Sequence, residues 1–106
     1  VREDNRELRA VDICSLTTQG ASLVEPEAYP GIRADFEHSF SRLRNLRADI
    51  FLATHTEWFS LQRKLRERAT AQKPADPFID PDGYIRFVDS SEKEFREVLA
   101  KQRLLP

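Results

Sequence analysis

Mixed α/β of the α+β kind, with three helices and two or three strands, is the fold class this sequence predicts, and three observations predict it. Apolar residues recur at helical spacing along three stretches, Pro30 to Leu46, Thr56 to Ala71 and Pro81 to Arg103. Two other stretches, Glu7 to Ile13 and Ala48 to Ala53, have the branched apolar content and the short length of strands. Prolines and glycines fall between these segments or at their N-terminal ends, where Pro30, Gly31, Pro81 and Gly83 stand.

The elements follow in chain order. Val1-Arg2 and the run from Glu7 to Ile13 flank the polar, turn-forming cluster Glu3-Asp4-Asn5-Arg6, which predicts a hairpin. From Ser15 to Pro30 the chain is irregular, interrupted by Gly20, Pro26 and Pro30. Pro30 then stands near a helix start, and Ile32, Phe36, Phe40, Leu43 and Leu46 form one apolar stripe, with Arg33, Glu37, Arg44 and Asn45 opposite. Asp49-Ile50-Phe51-Leu52-Ala53 lacks clean alternation, as expected of a strand buried on both faces. It ends at His55. Thr56 can cap a second helix whose stripe is Trp58, Leu61, Leu65 and Ala69, with Arg63, Lys64, Arg66, Glu67 and Arg68 in water. Pro74, Pro77 and Pro81 make the next stretch a loop. The third helix has Asp80 as N-cap and Pro81 at its first position, and Tyr84, Val88, Ser91, Phe95, Leu99 and Gln102 line its inner face. Gly83 weakens its first turn slightly.

Size and charge narrow the function classes. The 106 residues, 40% of them hydrophobic, suffice for one small domain and not for two. Seventeen basic residues against eighteen acidic ones leave a net charge of −1, so nothing draws the chain as a whole to nucleic acid or to an anionic membrane. The longest apolar runs fall far short of the ~20 residues of a membrane span, which predicts a soluble chain. Arg2 to Arg6 contain no apolar signal-peptide segment. The single Cys14 excludes an internal disulfide and reads as a small buried hydrophobe in or beside a strand.

Few residues carry chemistry. Of the two histidines, His38 lies on the polar flank of the first helix and reads as a solvated surface side chain. His55 stands where a strand gives way to a helix, the place where α/β folds hold functional side chains. Spacing alone favours a structural or capping role for it, since no second histidine motif accompanies it. Ser15 and Thr17 flank Leu16 just past a strand, so both hydroxyls face one side if the chain stays extended; turn hydrogen bonding is the plainer reading. Asp76, Asp80 and Asp82 lack the spacing of a calcium loop and read as turn and cap residues.

Four segments taken in order resemble the closing third of the third subclass of metallo-β-lactamases. They are Ser15-Leu16-Thr17-Thr18-Gln19-Gly20, Tyr29-Pro30-Gly31-Ile32 with Asp35-Phe36, Asp49 to His55, and Pro77-Phe78-Ile79-Asp80-Pro81-Asp82-Gly83-Tyr84. The resemblance implies the C-terminal part of an αββα sandwich, present here as a single partial domain, whose parent binds two zinc ions at the sheet edge and opens the amide of β-lactams. It implies that His55 is a ligand of the second zinc and that Ser15 and Thr17 bind substrate, one near the metal and one at the substrate carboxylate. It also implies export to the bacterial periplasm. The family's His-x-His-x-Asp-His run and Gly-His-Thr motif are not in this chain, so the resemblance implies that the chain by itself is inactive. Thr56-Glu57-Trp58 follows His55 where the family has a small residue, often glycine.

Two rivals stand beside this reading. The same fold hosts hydrolases of thioesters, phosphodiesters and lactones. Alternatively, two or three strands with three amphipathic helices leave edges and apolar faces open, which suits an interaction module or a homodimer.

Overall fold

The computed structural model describes residues 1–105 and has the α+β content the sequence predicts, with three α-helices and short strands. The chain packs as two compact units. One comprises residues 1–15 and 47–87, the other residues 16–46 and the chain from 88 onward.

In the first unit, β1 (Arg2–Glu3) and β2 (Arg6–Glu7) form an antiparallel ribbon, while β3 (Ala10–Ile13) and β4 (Ile50–Ala53) form a parallel pair. The predicted hairpin is therefore real but shorter, closing through Asp4 in the left-handed region at φ 57°. The strand expected over Glu7 to Ile13 is two strands, because the chain changes partner at Leu8 and Arg9. Leu8 N–H still donates to Val1 C=O. Arg9 N–H instead donates to the Asp49 carboxylate at 2.8 Å, and Arg9 C=O accepts from Asp49 and Ile50 N–H. Asp49 C=O accepts in turn from Asp80 N–H at 2.8 Å, so one aspartate ties the start of both parallel strands to the foot of the third helix.

β4 carries the core of this unit. Ile50 and Phe51 are buried, and Phe51 meets Phe59, Tyr84 and Phe87 at ring-centroid distances of 6.2, 5.8 and 5.0 Å. The helix expected from Thr56 to Ala71 is in fact two pieces. A 3-10 turn (Thr56–Phe59) precedes α2 (Leu61–Arg68), and Ser60, left-handed at φ 58°, separates them. The tighter turn and the left-handed residue shift the phase of the helix. Leu65, expected inside, is 46% exposed, and Lys64, expected in water, is fully buried.

Lys64 Nζ lies 3.1 Å from Asp80 Oδ2 and 5.7 Å from the Phe59 ring centroid. No hydrogen bond of good angle satisfies it among the described residues, so the aspartate holds it as an ion pair. Asp80 also caps the third helix, accepting from Gly83 N–H at 3.0 Å. A Cβ at Gly83 would stand 2.1 Å from Asp80 Oδ2. The glycine that the sequence marks as a weakness is what admits the cap.

In the second unit, α1 (Ile32–Asn45) begins after Gly31, left-handed at φ 88°. α3 (Pro81–Leu104) crosses from the first unit into the second after Phe87. The predicted stripes hold except at Leu46, which follows the end of α1 in extended conformation and is 38% exposed: Ile32, Phe40, Val88, Phe95 and Leu99 are buried, and Phe95 lies 5.4 Å from Phe36 and 5.7 Å from Phe40. Arg44 of α1 pairs with Asp89 and Glu92 of α3. Gln102 fastens the loop before α1, accepting from Leu23 N–H and donating to Ala21 C=O. No helix among the described residues is long and apolar enough to cross a membrane.

Candidate functional site

The parallel pair dictates where its two strands end. Register runs from Ala10 opposite Ile50 to Ile13 opposite Ala53, and Thr54 N–H adds one bond to Ile13 C=O at 3.2 Å. Because the strands are parallel, both chains leave at the same, C-terminal end of the pair. Ser15 and His55 are then equivalent positions, each two residues past the last matched pair Ile13 and Ala53. The carboxyl ends of parallel strands are where open α/β sheets present functional groups.

His55 leaves β4 in extended conformation and enters the 3-10 turn, accepting from Trp58 N–H at 3.1 Å through its carbonyl. Three residues per turn bring side chains i and i+3 onto one line. The His55 and Trp58 rings accordingly meet, with centroids 4.3 Å apart and planes tilted by 52°. The imidazole remains 59% exposed. Glu57 Oε1 lies 3.9 Å from Nδ1, beyond hydrogen-bond distance. An exposed imidazole in this setting suits a metal as one donor of several.

Ser15 and Thr17 are exposed on either side of buried Leu16, as an extended segment requires. His38 is exposed on α1. Cys14 is exposed too, not buried as its residue type suggests, because it lies past the last ladder position of β3, whose inward residue is Ile13. Among the described residues no three or more of His, Cys, Asp and Glu gather in a metal-holding group. Glu57 and Trp58 are neighbours of His55 that helical reasoning assigned to a capping turn and a core stripe. The signal for Trp58 was its spacing of three from His55, legible only once the turn is known to be 3-10.

No protein-family model matches the chain, and no curated protein matches it. Solved structures do. A HARLDQ-motif mutant of a metallo-β-lactamase from Cronobacter sakazakii is 37% identical, with a TM-score of 0.82 over 92% of this chain and 38% of that one. BJP-1, a subclass B3 metallo-β-lactamase of Bradyrhizobium japonicum, is 27% identical, with a TM-score of 0.85 over 97% of this chain and 38% of that one. The chain is similar in fold and sequence to the C-terminal portion of subclass B3 metallo-β-lactamases. LRA-12, a class B3 di-zinc metallo-β-lactamase from an Alaskan soil metagenome, is 27% identical, with a TM-score of 0.75 over 91% of this chain and 36% of that one. The chain spans well under half the length of these relatives, consistent with a C-terminal portion.

Proposed function

We propose that the chain supplies one arm of the zinc site in a β-lactam hydrolase. The observation that carries this reading is the exposed His55 imidazole at the carboxyl end of a parallel pair, level with Ser15. Support comes also from the relatives, one of which is a di-zinc enzyme. In this reading His55 donates one lone pair to the second zinc, Ser15 and Thr17 hold substrate, and the remaining ligands come from sequence outside this chain. Bound zinc supplies Lewis acidity to such a site. The parent then acts in the bacterial periplasm, where its family is typically exported.

The test is His55→Ala in a full-length protein containing this chain. Zinc stoichiometry is expected to fall toward one per chain and turnover to drop steeply, with the fold retained. His38→Ala is expected to change neither, since that side chain sits on the outer face of α1. Metal analysis and steady-state kinetics decide, and unchanged zinc in His55→Ala sinks the assignment. Replacement of nitrocefin by thioester, phosphodiester and lactone substrates in the same assay tests the choice of bond.

A second reading, self-association, draws on one observation. Among the described residues β3 pairs with β4 alone, which leaves its other edge without a strand partner. Light scattering coupled to size exclusion discriminates: a monomer at all concentrations counts against it.

A further inference from the structure

We infer that Trp58 is a positioning residue for His55, holding the exposed imidazole in one orientation at the strand end. The inference rests on His55 being a ligand, and it adds the group that orients it. His55 has little else to fix its ring. Its side chain is 59% exposed, and its charged neighbour among the described residues, Glu57, is 73% exposed and 3.9 Å away. A solvated imidazole with such company samples several rotamers.

Trp58 removes that freedom because it is itself anchored. The indole lies 5.4 Å from the Phe87 ring, and Phe87 lies 5.0 Å from Phe51, which is 1% exposed. A line of four rings thus runs from the core of the first unit to the imidazole. The backbone fixes its near end as well, since Trp58 N–H bonds to His55 C=O within the same turn. A glycine after the histidine would leave this contact to other residues. Here Thr56, Glu57 and Trp58 form the turn that makes it.

Proton NMR on the full 106-residue chain tests the contact without any mutation, because the chain holds one tryptophan and two histidines. Ring current from the indole should move the His55 ring protons well upfield of those of His38, which has no such neighbour among the described aromatic contacts. Trp58→Leu should return them to the His38 position, and Trp58→Phe should restore most of the displacement. In a full-length protein Trp58→Leu should then lower zinc affinity about tenfold at unchanged saturating stoichiometry, with recovery in Trp58→Phe, as for other residues that orient metal ligands. Overlapping His55 and His38 signals in the wild type would overturn the inference, as would undiminished zinc affinity in Trp58→Leu. Failure of the ligand reading looks different: the upfield shift persists, yet His55→Ala leaves zinc content unchanged.

Discussion

At the scale of single residues, the pairing of Lys64 with Asp80 has the largest energetic consequence. Burial pushes the Asp80 carboxyl up, but the Lys64 ammonium, the Gly83 N–H and the charges of Lys64 and Arg86 outweigh it and hold the group below the ordinary carboxylate value. Removing one partner of such a pair is asymmetric. Asp80→Ala strands a fully buried ammonium and deletes a helix cap, and it should cost about 3–5 kcal/mol in urea denaturation. Lys64→Met keeps the volume and leaves the carboxylate its cap bond and partial solvent contact, so its cost should be under about 1.5 kcal/mol. The pH dependence follows from the same shift. A folded value below the unfolded one, near 3.9, means that the stabilisation is complete above about pH 5 and is lost as pH falls through the folded value. Asp80→Asn should flatten the stability profile in that acid window, and an unchanged slope between wild type and variant would contradict the pairing.

At the scale of elements, the helices differ in how far periodicity described them. α1 and α3 obey it because each presents one regular apolar line, and Phe36, Phe40 and Phe95 meet where those lines converge in the second unit. Phe40 is 1% exposed and Phe36 only partly buried. Phe40→Ala should therefore cost about 3–5 kcal/mol and Phe36→Ala markedly less, a ranking that thermal or chemical denaturation reads directly. The Arg44 pairs with Asp89 and Glu92 lie near the surface, and removing them should matter by no more than about 1 kcal/mol. α2 disobeyed periodicity for a local reason. Ser60 adopts left-handed geometry, which a propensity argument assigns to glycine or asparagine, and the 3-10 turn before it has three residues per turn rather than 3.6. A period count that runs through such a break assigns the wrong face, which is why Lys64 and Leu65 exchanged places.

At the scale of the whole chain, the expectation concerns activity. The chain holds two histidines and one cysteine, and no set of three or more potential ligands is gathered among its described residues. A catalytic zinc centre needs about three protein ligands. The purified 106-residue chain should accordingly show no nitrocefin turnover above buffer, with or without added zinc. Zinc-dependent turnover lost in His55→Ala would show that the chain completes a site by itself, through self-association or otherwise.

The order of elements, most of the stripes of α1 and α3, the Asp80 cap and the position of His55 at a strand end were legible in the residues, since each depends on neighbours within a turn or two. The succession of short segments also carried the family, which solved relatives at 27–37% identity bear out. The folded structure alone decided four things. It paired β3 with β4 in parallel, which makes Ser15 and His55 equivalent in the register. It transferred the Arg9 N–H to the Asp49 carboxylate, splitting one expected strand into two. It buried Lys64 against an aspartate distant in sequence and set Trp58 against His55. Each of these depends on a partner remote along the chain or on a turn whose pitch no side-chain pattern announces, and local spacing contains no term for either.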